Sequence, residues 1–161
     1  MEFGERFAYE IRAGPSSGSA HHAPVYAVLD TSVFISALRS RVGAAFRILQ
    51  LVRSGHIQIA LSVPLAMEYE DVALRPGMVP ALTHFQILSI IDGLCALARK
   101  QPIYYTWRPH LPDAGDDMVL ELALAAGTPY IITNNMKDFK GSESLGIRAI
   151  TAAQALSLIT N

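Results

Sequence analysis

Carboxylates are where chemistry shows most clearly in this chain, because several of them interrupt apolar runs. Asp30 follows "VYAVL" and is followed at once by Thr31, Ser32 and the apolar run Val33, Phe34, Ile35. An ionised carboxylate in such surroundings is costly to desolvate unless a partner or a bound ion shares its charge. "MEYED" adds Glu68, Glu70 and Asp71; "DAGDD" adds Asp113, Asp116 and Asp117; "TNNMKDF" supplies Thr133, Asn135 and Asp138. No comparable cluster of Lys or Arg accompanies them. Gathered in one place, these acids would raise one another's pKa values unless a cation sat among them. Oxygen donors without His or Cys partners favour hard divalent ions, Mg²⁺ or Mn²⁺, over Zn²⁺. An ion held by such acids acidifies water and polarises phosphate, so hydrolysis of a phosphodiester is the natural use of the site.

Each motif also has an ordinary structural explanation. A carboxylate at a helix start commonly caps it, and Asp116 is placed for that role. Glu68, Glu70 and Asp71 would ordinarily form the solvated face of a helix, with Leu65, Tyr69 and Val72 turned inward. Thr133 and Asn134 would ordinarily be turn residues. Asp30 resists such a reading, because apolar residues precede it and follow it closely.

The elements that must position these residues alternate along the chain. "VYAVLD" is a near-continuous apolar strand of the kind covered on both faces. The stretch 42–55 then sets Val42, Ala45, Phe46, Leu49 and Val52 on one helical stripe ended by Gly55. A strand over 57–62 leads to a helix in "VPLAMEYEDVAL", with Ser62 as N-cap and Pro64 in the first turn. A long helix is expected over about 80–99, a strand in "PIYYTW" at 102–107, and a helix at about 116–126. "PYIIT" and "IRAI" are the last strands, and "AAQALSLI" is a closing helix. This alternation predicts parallel βαβ units and hence an α/β protein, a three-layer α/β/α sandwich around a central, mainly parallel, Rossmann-like sheet. Sites in such sheets form at the carboxyl ends of strands, where Asp30, "DAGDD" and "TNNMKDF" fall.

Composition sets limits on partners and compartment. A length of 161 residues, half of them hydrophobic and 17% charged, suits one well-filled domain. The net charge of −1 means that a grip on nucleic acid must come from a local patch. Arg39, Arg41, Arg47, Lys137 and Lys140 are the cations nearest the acidic motifs in sequence. The one cysteine, Cys95 in "LCALA", cannot form an internal disulfide and reads as a buried thiol in a reducing compartment. "MEFGERFAYEIRAG" lacks the apolar core of a signal peptide, and "FQILSIIDGLCALA" is broken by Asp92 and too short to span a bilayer. The expectation is a cytoplasmic protein with no membrane association. Residues 1–24 read as an N-terminal extension that closes with the linker "GPSSGSAHHAP". That extension holds a short strand in "RFAYEIRA" and the adjacent His21 and His22, a pair that could bind metal but in a flexible segment ordinarily does not. Residues 25–161 form the domain. Its helix over 80–99 carries Leu82, Phe85, Ile87, Leu88, Ile90, Ile91, Leu94 and Leu97, a wider apolar surface than one core-facing stripe needs. Part of it is therefore expected in a homodimer interface or under a partner.

The ordered set "VLDTSVFISAL", "LSVPLAMEYEDVAL" and "DAGDDMVLELALAAGTPYIITNNMKDF" resembles the PIN-domain family, in particular the PIN-family toxin components of bacterial toxin–antitoxin pairs. The resemblance runs from about Val25 to the end of the chain. It implies metal-dependent cleavage of single-stranded RNA, Mg²⁺ or Mn²⁺ as cofactor, and a cognate antitoxin as partner. Position by position, it implies Asp30 as the first acid, with Thr31 and Ser32 as polar neighbours, and Glu68 as the helical acid. Asp117 takes the third place by its spacing to "YIIT", with Asp116 as an alternative or additional ligand. The fourth polar position, after Thr133, is Asn135, a neutral residue, and Asp138 is the acid that can supply the charge there. Two other readings stand beside this one. A phospho-aspartyl phosphatase or receiver-like domain also puts an acid after its first strand, but the phosphatase type wants a second Asp where this chain has Ser32. A degenerate PIN fold that only binds RNA or protein is favoured by the neutral Asn135.

Overall fold

The computed structural model describes residues 23–103 and 111–160. The strand expected in "RFAYEIRA", the His21–His22 pair and nearly all of the linker lie outside the described residues, as does 104–107 of the expected third strand. Five parallel strands form one sheet in the order β3-β2-β1-β4-β5. They are β1 (Val25–Leu29), β2 (Ile57–Leu61), β3 (Arg99–Lys100), β4 (Tyr130–Ile132) and β5 (Arg148–Ile150). The helices are α1 (Thr31–Arg39), α2 (Ala44–Arg53), α3 (Val63–Ala73), α4 (His84–Leu97), α5 (Ala114–Ala126) and α6 (Ala152–Thr160). From β1 the chain steps outward to β2 and β3, then returns past β1 to β4. Right-handed crossovers in opposite directions put helices on opposite faces, giving the expected three-layer α/β/α sandwich. The reversal falls between β1 and β4, the place where open parallel sheets open a crevice at their carboxyl edge.

Register decides what stands at that crevice. Leu29 pairs with Ile132 and the Asp30 N–H donates to the Ile132 carbonyl at 3.0 Å, so the next residues out, Asp30 and Thr133, lie side by side. The Thr133 N–H in turn donates to Ile150 of β5 at 2.9 Å. Asp30 is thus fixed from below by a ladder running across β1, β4 and β5.

Several boundaries differ from the sequence reading, each for a local reason. The run after Asp30 is a helix, α1, which the sequence did not reveal because its apolar residues are not confined to one stripe. Thr31, Val33, Phe34, Ile35, Ala37 and Leu38 are all buried, as in a helix enclosed on most sides. Val42 is not on the α2 stripe: the helix begins at Ala44, and Val42 is 96% exposed. Within the described residues the third strand is Arg99–Lys100, just before the expected 102–107. After Ala98 the chain pairs at once with β2, Ala60 to Arg99 and Leu61 to Lys100, and Pro102 has no N–H to carry the ladder on. Ser62 caps α3 as expected, its Oγ accepting from the Leu65 N–H at 3.2 Å, with Pro64 in the first turn. Thr83 and Gln86 form a reciprocal capping box that starts α4 at His84, not at 80.

The apolar surface of α4 is mostly spent inside its own chain. Leu82, Ile87, Ile90, Ile91 and Leu94 are buried in the core, while Phe85 remains 76% exposed and Leu88 is at the margin. Cys95 is half-buried, and burial together with the nearby Asp92 pushes its thiol pKa up, keeping it protonated and unreactive. Among the described residues no helix is long and apolar enough to cross a membrane.

One aromatic ties the α3 helix to the sheet beneath the crevice. Tyr69 is fully buried, stacks on Phe34 of α1 with centroids 4.4 Å apart, and donates its hydroxyl to the Leu29 carbonyl. Burial, then the negative charges of Asp30 and Glu68, hold its phenol pKa well above the ordinary value, so it acts only as a neutral donor. Tyr69→Phe should keep the stacking but lose this hydrogen bond, lowering stability by about 1–2 kcal/mol in urea unfolding. An unchanged midpoint would show that the Leu29 carbonyl does not depend on it.

Candidate functional site

Asp30 occupies the N-cap position of α1, with extended backbone, yet its side chain makes no capping hydrogen bond. Its carboxylate is engaged elsewhere. The Thr133 hydroxyl donates to Oδ2 at 2.8 Å and the Ser32 hydroxyl donates to the same oxygen at 2.7 Å. Asp30 is only 8% exposed and Thr133 is fully buried, so these bonds satisfy Oδ2 in place of solvent. Both donors crowd one oxygen and leave Oδ1 for another partner.

Glu68 comes to the same place from α3. Thr31, the first residue of α1, donates its hydroxyl to Glu68 Oε2 at 2.7 Å. Glu68 is half-buried, whereas Glu70 and Asp71 point to solvent and Asp71 pairs with Arg75 at 3.0 Å. Of the acids on α3, Glu68 is the one turned toward Asp30, and Tyr69 beside it fixes the rotation of the helix.

The start of α5 brings the third group of acids. Asp113, not Asp116, is the N-cap: its Oδ1 accepts from the Gly115 and Asp116 N–H groups at 2.8 and 3.2 Å. The helix therefore begins at Ala114, and Asp116 is released from the capping role the sequence suggested. Neighbouring residues on a helix diverge by about 100°, so Asp116 and Asp117 face different ways. Asp117 turns to the loop before the helix, where its Oδ1 accepts from the Leu111 N–H at 3.1 Å. Asp116 turns to the cluster. Its pKa is raised to about 6 by burial and then by Asp113, Asp30, Asp138 and Glu68. Every charge that moves it is another carboxylate.

Gly115 permits this approach. A Cβ there would lie 3.0 Å from Asp113 Oδ1 and 3.3 Å from Glu68 Oε1, so any side chain would push on both acids. The sequence reading counted Asp113 among the acids but not as the cap, and passed over Gly115; the spacing of an Asp, a Gly and a second Asp around a helix start was the available signal.

The segment after β4 completes the rim. Asn135 holds Thr133 in place, its N–H donating to the Thr133 hydroxyl oxygen at 3.0 Å. Asp138 lies on the short 3₁₀ turn Met136–Phe139 and is exposed, close enough to act on Asp116 through its charge. Lys137 shares that turn and is exposed. Arg39 and Arg41 are exposed as well but stand at and beyond the far end of α1, about 12 Å along the helix from Thr31. Arg47 and Lys140 are also on the surface.

The donor set suits a hard cation. All the acids that meet here offer oxygen, none is neutralised by a base in the charges that reach Asp116, and Asp30 keeps one oxygen clear of hydrogen bonds. Among the described residues no three acidic, His or Cys side chains stand at metal-ligand spacing.

Two outcomes test this geometry. A carboxyl raised from an ordinary value near 4 in the unfolded chain to about 6 in the fold keeps a proton that unfolding would release. Metal-free stability should therefore fall as pH rises from about 4 to about 6 and then level. Measured as Tm relative to Asp116→Asn, the wild-type decline should span that window, and a difference that stays flat would remove Asp116 from the cluster. Gly115→Ala should leave stability within about 1 kcal/mol, since alanine favours the helix. Its Mn²⁺ affinity by calorimetry should nonetheless drop several-fold through displacement of Glu68, and equal affinity would show that Glu68 is not needed in its present place.

Comparison with known proteins adds an independent finding. The sequence matches the family described as PIN domain over residues 26–137, a stretch that contains Asp30, Glu68, Asp116, Asp117, Thr133 and Asn135. No individual curated protein matches the chain significantly. With most of its length covered and the five-stranded parallel sheet in place, the chain belongs to the PIN-domain family.

Proposed function

We propose that this protein is an Mg²⁺- or Mn²⁺-dependent endoribonuclease that cleaves phosphodiester bonds of single-stranded RNA. PIN domains are generally nucleases that use divalent metals. The observation that supports the finer reading is the carboxyl of Asp116, raised to about 6 by burial first and then by Asp113, Asp30, Asp138 and Glu68, with no base among those charges. An electrostatic deficit of that kind is relieved by a divalent cation.

Asp30 and Asp116 would hold the ion, with Glu68 and Asp138 adding negative charge around it. Once bound, the ion supplies the positive charge that polarises the scissile phosphate and acidifies an attacking water. Ser32 and Thr133 orient Asp30 by donating to Oδ2. Thr31 aims Glu68 by the same means. Lys137, on the turn that carries Asp138, is positioned to meet an RNA phosphate, and Arg39 and Arg41 would meet it further along the strand. Asp117 serves the fold of the preceding loop in this reading, through Leu111.

We assign the protein, in the same reading, to the toxin half of a toxin–antitoxin pair acting in the cytoplasm. Phe85 and Leu88 on α4 form the apolar contact for a second copy or the antitoxin. The 1–24 segment is treated as an extension outside the catalytic domain.

Cleavage of single-stranded RNA by the purified chain, with Mg²⁺ or Mn²⁺ and with a chelator, tests the proposal. Asp30→Asn and Asp116→Asn should each lower the rate by roughly 100-fold or more, on the scale of losing a group that supports charge stabilisation. Asp117→Asn should retain most of the rate while lowering stability. RNA binding without cleavage under any divalent ion would favour the degenerate fold to which Asn135 points. Equal losses from Asp116→Asn and Asp117→Asn would reject the distinction drawn between them.

A further inference from the structure

We propose that Asn134, with Ser36 as its anchor, is a positioning residue that sets how Asp30 meets the cation; the inference rests on the metal-dependent reading of the site. Asn134 is exposed and adjoins the site residue Thr133, yet it makes three hydrogen bonds to α1. Its N–H donates to Ser32 Oγ at 3.2 Å, and its Nδ2 donates to the Ser32 carbonyl at 3.1 Å and to Ser36 Oγ at 2.9 Å. The amide orientation is fixed by chemistry, because a backbone carbonyl can only accept.

The consequence lies in two hydroxyl rotors. Ser32 Oγ accepts from the Asn134 N–H, and Thr133 Oγ1 accepts from the Asn135 N–H at 3.0 Å. With a donor already pointed at each oxygen, each hydroxyl hydrogen is directed the other way, onto Asp30 Oδ2 at 2.7 and 2.8 Å. Two consecutive backbone N–H groups thus orient two donors onto one carboxylate oxygen. Oδ2 is saturated, and Oδ1 is the oxygen presented to the cation. The arrangement holds only while residues 134 and 135 stay against α1, and the side chain of Asn134 is what pins them there. Released, Ser32 and Thr133 regain free rotation and Asp30 can turn either oxygen, or both, to the ion.

Mn²⁺ titration calorimetry on the full chain tests this with four proteins: wild type, Asn134→Ala, Ser36→Ala and Asp30→Asn. Asn134→Ala should weaken Mn²⁺ binding about tenfold and Ser36→Ala about threefold, in line with the cost of removing groups that orient metal ligands. The cleavage defect of Asn134→Ala should recover as Mn²⁺ is raised, which a purely structural loss would not do. An affinity within twofold of wild type in both variants, with or without a lowered Tm, would overturn the role of Asn134 while leaving the metal site intact. If wild type and Asp30→Asn bind Mn²⁺ alike, the metal reading of Asp30 falls, and this inference falls with it. Should Asn134→Ala fail to fold, the Ser36→Ala value alone decides, since it removes a single contact at the helix surface.

Discussion

Everything at the carboxyl edge of the sheet depends on one oxygen of one carboxylate. Asp30 Oδ2 takes two hydroxyl bonds, one from Ser32 in the first turn of α1 and one from Thr133 just past β4, 103 residues away. Those bonds exist because β1 and β4 pair in a register that sets Asp30 beside Thr133. A slip of one residue would turn Thr133 to the opposite face and leave a nearly buried charge without donors. The register of the sheet and the chemistry of the site are therefore the same constraint.

Around that fixed charge the other acids gather on separate elements, each held by its own local device. Thr31 aims Glu68, Asp113 starts the helix that carries Asp116, and Gly115 leaves room for the carboxylates to approach. Burial and then repulsion from the other acids make the cluster costly to fold when ionised, as the raised pKa of Asp116 shows. Stability is carried elsewhere, by a core running through both helical layers and by Tyr69 beneath the site. In the proposed reading, a bound cation would relieve the cost of the cluster.

Much of this was legible in the sequence, and the rest was hidden for identifiable reasons. Asp30 stood out because apolar residues flank it, and the alternation of strands and helices gave the sandwich. Spacing to "YIIT" pointed to Asp117, with Asp116 as an alternative or additional ligand. That Asp113 caps the helix and that Asp117 accepts from the Leu111 N–H were not readable from spacing, and they are what favours Asp116 in the proposed reading. The α1 helix was hidden because a helix buried on most sides shows no single stripe. Asn134 looked like a turn residue because its partners Ser32 and Ser36 are 102 and 98 residues away. Sequence pattern reports local fit well; contacts between distant segments appear only when the sheet brings them together.

Anomalous diffraction from crystals soaked in Mn²⁺ tests the central claim most directly, because it locates the ion without reference to activity. The account predicts a peak in contact with Asp30 Oδ1 and the carboxyl of Asp116, with Oδ2 still held by Ser32 and Thr133. A peak bound to Asp117 and not to Asp116, or no peak at the carboxyl edge of β1 at a saturating Mn²⁺ concentration, would contradict it.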